Sequence, residues 1–278
     1  MTTTLRPSGP IQPGADGAQR RAYDVCDNGR PVGSVTLTLE PGAGGATGAV
    51  KDLRIDEAVR RRGRGTIAAL AAEEILRGWG CTQVAAEVAA GDTAGQRMAD
   101  GLGYTERSRH MLKTLPERPP VLPAGLTARP MTPEEFADWE AKAVTGYAES
   151  LVSRGFPPER SLEMSRASHA RYLPDGLATE GARMDHLVHE GEIVGNVWVS
   201  PFEMHPGLRV AYVFDVEVRE AFRGRGHGRA LMLQAERVAL AAGETRIGLH
   251  VVTANTPALR LYESLGYVLT NSYLAKPL

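Results

Sequence analysis

Cysteine is nearly absent from this 278-residue chain. Cys26 and Cys81 are too few for a disulfide framework or a cysteine-based zinc site, and each is expected as a buried thiol. Charge of one sign is lacking too: 32 Lys and Arg face 33 Asp and Glu, for a formal net charge of −1. The chain as a whole therefore does not carry the field of a nucleic-acid binder. Long apolar runs are missing. The stretch around Ala68 to Ala72 is interrupted by Glu73, Glu74 and Arg77, well short of the roughly 20 residues a bilayer span needs. Between Met1 and Gly17, Pro7, Pro10, Pro13 and several glycines stand where the apolar core of a secretion signal would lie, so the expectation is a cytoplasmic protein. Lysine is scarce, with only Lys51, Lys113, Lys142 and Lys276. The positions at which the arginines cluster are therefore informative.

What is present is the composition of a soluble globular protein, 42% hydrophobic and 23% charged, in a chain long enough for two domains of about 100–150 residues. Two arginine and glycine clusters occur, Arg60-Arg61-Arg62-Gly63-Arg64-Gly65 and Arg223-Gly224-Arg225-Gly226-His227-Gly228, 163 positions apart. The same offset pairs Asp52 with Asp215, Ala58 with Ala221, Leu70 with Leu233, Glu73 with Glu236, Gly80 with Gly243, Thr82 with Thr245, Tyr104 with Tyr267 and Lys113 with Lys276. One ungapped register through segments of such different character implies two copies of one fold. Between them, Leu115 to Pro133 holds six prolines, a density incompatible with helix or central strand. The expected organisation is a flexible tail at 1–19, a degenerate domain at 20–115, a Pro-rich linker at 116–130 and a complete domain at 131–278.

Both copies read in the same order. Val32–Leu39 and Asp185–Val199 show strand patterns, with Asn28-Gly29 and Glu190-Gly191 placed to turn hairpins. Strands at Gly48–Ile55 and Arg209–Val218 run into the glycine clusters, followed by helical periodicity over Arg64–Gly78 and Gly228–Ala242. A short strand follows at Gln83–Ala89 or Arg246–Thr253, then a helix capped by Asp92 or Asn255, then a closing strand. Only the second copy carries two helical segments upstream, Pro133–Arg154 and Pro158–Tyr172. The first copy is truncated.

A strand that enters a glycine turn and opens a helix presents unpaired N–H groups at the positive end of the helix dipole, which makes an anion site. Arg223, Arg225 and Arg229 add charge suited to a pyrophosphate. No Gly-Lys-Ser/Thr follows and the dinucleotide fingerprint is absent, so neither common nucleotide loop fits. The motif R-x-x-G-x-G, with Phe214–Val218 before it and Asn255-Thr256-Pro257-Ala258 and Leu261–Tyr267 after it, resembles the GNAT superfamily of N-acyltransferases. The resemblance covers about residues 20–115 and 125–278. It implies an α/β (α+β) chain of two tandem domains, each a mixed, mostly antiparallel sheet splayed near the glycine turn and flanked by helices. It implies acetyl-CoA as cosubstrate and no metal, with the pyrophosphate on the turn and the pantetheine arm along the strand ending near Val218. The tandem layout is similar, in arrangement only, to that of mycothiol synthase.

The expected coenzyme contacts are Val216, Val218, Arg223, Gly224, Arg225, Gly226, His227, Gly228, Arg229 and Asn255. In the family an amine attacks the thioester directly, so the site needs a base, a carbonyl polariser and a leaving-group acid. Tyr262, seven residues after Asn255, stands where the resemblance places the acid. His250 stands where relatives carry a base, and its imidazole suits neutral pH; it reads equally as a structural histidine. Asp215 and Glu217 share one face of their strand and read either as amine ligands or bases, or as a salt-bridged support of the turn. A backbone N–H near Val216–Val218 is the expected polariser.

The first copy keeps Arg60, Arg62, Gly63, Arg64 and Gly65 as a possible second coenzyme site. Glu87 stands where His250 does, but Ala99 replaces Tyr262, Asp92 replaces Asn255 and Arg54 replaces Glu217. It reads as a degenerate copy packing on the second in a pseudo-dimer within the chain, itself monomeric or homodimeric. Trp139, Tyr147, Glu149, Tyr172, Glu203 and His205, from Pro133–Leu173 and the hairpin around Pro201–Pro206, are the candidate acceptor wall. Glu149 with Asp215 or Glu217 would suit a cationic small-molecule amine; neither a membrane nor a nucleic acid is an expected partner. Two other classes stay open, a non-catalytic acyl-CoA-binding regulatory module and aminoacyl transfer from charged tRNA.

Overall fold

A computed structural model describes residues 2–14, 17–42, 45–153, 156–205 and 207–278. Arg154 and Pro206, the expected ends of a helix and of the acceptor hairpin, lie outside the described residues. The protein is a mixed α/β chain that divides into two compact units. Unit 1 comprises Met1–Ser108, Ser153–Pro157 and Asn271–Leu278; unit 2 comprises Arg109–Val152 and Pro158–Thr270. Among the described residues, no helix is long and apolar enough to cross a membrane.

Unit 1 is built on β1 (Thr3–Pro7), β2 (Gln12–Pro13), β3 (Gln19–Asp27), β4 (Arg30–Glu40), β5 (Ala46–Ile55), α1 (Arg64–Gly78), β6 (Cys81–Ala89) and α2 (Thr93–Gly101). The β3–β4 hairpin turns on Asn28 and Gly29, both at positive φ, the conformation a two-residue hairpin requires. β5 and β6 are parallel, whereas β3 pairs antiparallel with β1, β2 and β4, and β4 with β5. The expected tail at 1–19 is corrected: Thr3–Pro7 pairs with Tyr23–Asp27, and Leu5 packs on the unit's apolar cluster. Alternation places Leu5 inward, and Pro7 is tolerated because β1 is an edge strand. Cys26 and Cys81 are buried free thiols, and burial pushes the Cys81 thiol up.

Unit 2 repeats the pattern with β7 (Thr105–Thr114, of which residues 109–114 belong here), β8 (Leu126–Pro130), α3 (Pro133–Ser153), α4 (Pro158–Tyr172), β9 (Arg183–His189), β10 (Glu192–His205), β11 (Leu208–Val218), α5 (His227–Ala241), β12 (Arg246–Val252) and α6 (Thr256–Ser264). The β9–β10 hairpin turns on Glu190 and Gly191, again both at positive φ. The last part of the expected linker is the edge strand β8, paired with β9; Pro130 can occupy it because an edge leaves one side unpaired. Helix α5 buries Ala230, Leu231, Met232, Ala235 and Ala239 against Val194, Val197, Leu249 and Tyr267. Each fully buried large side chain there contributes about 1.5–3 kcal/mol.

The closing strands are exchanged. β7 follows the first copy in sequence, yet its residues 109–114 neighbour β12 in unit 2. The final strand, β13 (Val268–Pro277), follows the second copy, yet Asn271–Pro277 pairs with β6 in unit 1. Two buried ion pairs depend on the exchange. Lys113 Nζ lies 2.6 Å from Glu236 of α5, and Lys276 Nζ lies 2.8 Å from Glu73 of α1. These two pairs stand at the same 163-residue offset as the rest of the repeat.

Candidate active site

The mixed sheet opens where the sequence places the glycine cluster. Parallel pairing of β11 with β12 runs from Ala211–Ile247 to Val213–Leu249, so residues 214–218 leave β12 at the end that meets the turn. A bulge reinforces the divergence: Trp198 faces Asp215 while Val199 faces Val213, which leaves Phe214 extra and bends the strand. Gly195 permits the approach of β10, since a Cβ there would stand 2.3 Å from the Glu217 carbonyl oxygen.

The turn itself places Gly224 and Gly226 at φ 76° and 81°, where side chains are disfavoured. Open space surrounds both Cα positions. α5 begins after Gly226 with no side-chain cap. Its first N–H groups are therefore available, and the turn fits the phosphate expected of it.

The side chains of the cluster divide into different roles. Arg225 is exposed and packs over the Phe222 ring. Arg223 Nε donates to the Val218 carbonyl at 3.1 Å, bracing the strand end. His227, expected to contact the coenzyme, is instead 3% exposed, with Nδ1 2.9 Å from the Phe222 carbonyl and Nε2 3.3 Å from His189 Nδ1. It is the first helical residue after a left-handed glycine, so its side chain turns under the loop and only its N–H remains at the turn. Gly228 packs near Leu261 and Val218, Arg229 donates to Ser264, and the Asn255 carboxamide oxygen caps α6 through the Ala258 N–H.

Beside the turn, unit 2 holds a cavity of about 1040 Å³. Trp139, Tyr147 and Tyr172 line it as expected, joined by Trp198, Phe202, Tyr212 and Phe214. Trp198 and Phe214 stack at 4.6 Å, and Trp139 meets Trp198 edge-on at 5.6 Å. Glu149, Glu203 and His205 are not on this wall: Glu149 is exposed, and Glu203 accepts from the Gly207 N–H at its own hairpin. The acidic residues on the wall include Asp138, Asp215, Glu217 and Glu220.

Asp215 and Glu217 both reach the cavity, as alternation along β11 requires. Asp215 accepts from Trp139 Nε1 at 3.1 Å and from Asn196 Nδ2 at 2.9 Å. Desolvation pushes its carboxyl above the usual range, assisted by the Glu217 charge and opposed by those two hydrogen bonds. Both side-chain partners, Trp139 and Asn196, are neutral donors; among the described residues no salt bridge reaches it.

His250 is exposed on the cavity wall, and its ring lies 5.4 Å from that of His110, nearly perpendicular to it. Burial, then the His250 and His205 charges, push His110 down to about 4. His110 carries no motif of its own and follows the first copy in sequence; the signal that marks it is its offset partner Tyr273, which pairs with Glu87 as His110 meets His250. Tyr262 is 6% exposed at the edge of the unit 2 core, and burial, with the Asp215 charge, pushes its phenol up to about 12.

In unit 1, Gly63 opens α1 at φ 75° and Arg60 Nε braces Ile55 as Arg223 braces Val218. Arg62 is exposed, and Gly65 approaches Met98 as Gly228 approaches Leu261. Arg64, a candidate for a second coenzyme site, is corrected: it is 6% exposed, bonded to Asp27 and the Val59 carbonyl. It fills the position His227 fills in unit 2. Glu87 accepts from Asn271 Nδ2 at 2.8 Å, and Ala99 is buried where unit 2 has Tyr262.

A divergent strand pair, a glycine turn opening a helix and an adjoining cavity define an acyltransferase scaffold. The acetyltransferase (GNAT) family model matches residues 7–104 and 148–267, and the chain belongs to that family. It is 30% identical over 151 residues to the uncharacterized N-acetyltransferase YycN of Bacillus subtilis, covering 54% of this chain and 96% of that protein. It is 30% identical over 185 residues to a mycothiol acetyltransferase of Streptomyces scabiei, covering 64% of this chain and 56% of that protein. A tandem GNAT protein from the clavulanic acid biosynthesis pathway, solved without AcCoA, shares the fold with a TM-score of 0.53 at 22% identity, over 96% of this chain and 85% of that one.

Proposed function

We propose that unit 2 transfers an acetyl group from acetyl-CoA to a primary amine of a small cationic molecule. The observation that carries this reading is Asp215: a desolvated carboxylate on an aromatic-walled cavity, held by neutral donors with no salt bridge to it among the described residues. Such a group is costly unless a cation joins it, and an ammonium flanked by Glu217 and aromatic faces supplies one.

Acetyl-CoA, when bound, supplies the acyl group as an activated thioester. The N–H groups at Gly226–Gly228, the backbone of Val216 and Val218, and the exposed Arg225 are the residues that would hold it. Asp215 and Glu217 bind the ammonium, and His250, exposed to the cavity, takes its proton. Tyr262 Oη keeps its proton at neutral pH, since its phenol is raised to about 12, and so remains a donor throughout. The first copy lacks that donor at Ala99 and presents no helices comparable to α3 and α4 upstream of β3 among the described residues.

The test is thiol release from acetyl-CoA with a panel of primary amines: phenethylamine, an aliphatic diamine, an aminoglycoside and neutral or anionic controls. Cationic acceptors are expected to turn over, and Asp215→Asn to raise the amine KM about tenfold or more with coenzyme affinity unchanged. Preference for anionic acceptors, or an unchanged KM in Asp215→Asn, overturns the reading.

A further inference from the structure

We infer that His110, on the strand that the first copy lends to unit 2, is a positioning residue that orients the His250 imidazole for proton transfer. The inference rests on the reading of His250 as base given above, and adds to it a residue from outside the second copy. The copy that lacks its own acid would then have a part in the reaction.

Three observations support it. First, His110 lines the cavity beside His250, with ring centroids 5.4 Å apart and planes at 85°, a geometry in which one ring limits the rotation of the other. Second, the repeat offers an internal comparison. Position 273 in unit 1, the offset partner of 110, faces Glu87 across the β13–β6 ladder, and the Tyr273 phenol is hydrogen-bonded to that carboxylate. In both units the exchanged strand thus places a polar ring against the residue at the base position. Third, His110 stays uncharged at working pH, since burial, with the His250 and His205 rings beside it, pushes it down to about 4. A neutral imidazole beside His250 offers a donor and an acceptor without competing for the amine's proton.

The groups around His110 are consistent with that role. His250 faces it from β12, and His205 acts on it from β10; Tyr212 of β11 meets it edge-on at 6.1 Å. The carboxylates of Asp215 and Glu217 share the cavity. On its own strand, Arg109 is engaged by Glu263 at 3.4 Å, and the His110 carbonyl accepts from Thr270 Oγ1 at 3.1 Å. The backbone is therefore anchored while the ring is presented to the cavity.

The experiment compares the unmodified 278-residue chain with His110→Leu and His110→Gln. It measures phenethylamine acetylation against pH, coenzyme KM, thermal midpoint, and the titration of the His250 ring by NMR. His110→Leu is expected to lower kcat on the order of tenfold, to displace the acid limb of the kcat profile and to shift the His250 midpoint, with coenzyme KM unchanged. His110→Gln keeps a donor and an acceptor and should restore most of each. Unaltered kcat and His250 midpoint in His110→Leu overturn the inference; so does an equal loss in both variants that tracks a matching loss of thermal midpoint. If the unmodified chain acetylates none of the amines, the transfer reading fails on its own, and the His250 titration in the two variants still decides whether His110 positions that ring.

Discussion

The two units carry the same turn on different supports. In unit 1 the residue beneath the glycine turn is Arg64, in a buried ion pair with Asp27; in unit 2 it is His227, bonded to His189. At the neighbouring acid position, Asp52 is an exposed residue at φ 53°, paired only loosely with Arg54 at 3.8 Å, whereas Asp215 is desolvated on a cavity wall. One repeated pattern thus rests on a buried ion pair in one half and beside a cavity in the other. Glycine turns are preserved where the fold needs the bend, so a retained motif is not by itself a retained function. What separates the halves is the wall of α3 and α4, which converts the same strand end into a cavity.

The comparison can be broken most sharply at the turns. Gly226→Val should remove acetyl transfer and coenzyme binding by about 100-fold or more, because a β-branched residue resists the left-handed conformation and projects into the phosphate space. The same change at Gly63 should leave transfer intact; calorimetric titration with acetyl-CoA separates the two, and a second site surviving in Gly226→Val would restore unit 1 as a coenzyme binder. Next come the lysines on the exchanged strands. Lys113→Met and Lys276→Met each strand a buried glutamate and should each cost about 3 kcal/mol in denaturant unfolding; a cost in only one would show that the repeat's two ion pairs are not equivalent.

Smaller effects sharpen the picture. Tyr262→Phe should lower kcat about tenfold or more with coenzyme affinity unchanged, and intact turnover would remove the phenol from the mechanism. Asp215→Asn tests the cost of the site. The Asp215 carboxyl is raised in the folded chain, so the stability tied to its proton is complete below the ordinary aspartate range near 3.8 and is lost as pH rises through its raised value. The asparagine variant should therefore be more stable than the parent at neutral pH, with the gain vanishing in acid. Asp52→Asn, in the exposed equivalent, should show no such gain; thermal midpoints across pH for both variants decide it. The smallest effect belongs to Glu149→Gln, which leaves the cavity wall untouched and should leave the amine KM unchanged.

Much of this was legible in local sequence. Helix α1 spans Arg64–Gly78 as its periodicity requires, Asp92 and Asn255 cap α2 and α6 through the Gly95 and Ala258 N–H groups, and both hairpins turn at the expected dipeptides. These features depend on residues within a few positions of one another, where propensity, capping and turn conformation decide. The cluster's side chains were less legible: Arg64 and His227 stand at the place of phosphate ligands, and only packing shows that both turn inward.

The sequence by itself determined the repeat, its register, the glycine turns and the face shared by Asp215 and Glu217, because each is a matter of short-range pattern. Only the tertiary structure decided the exchange of β7 and β13, and with it the placing of His110 beside His250 and of Lys113 beside Glu236. Both closing strands follow the same Gly-Tyr turn and end in a matching lysine, so either sheet edge could pair either strand locally. The choice is made by contacts more than a hundred residues apart in the chain, such as Lys113 with Glu236, whereas Asp215 is held by Trp139 of α3 and Asn196 of the neighbouring strand.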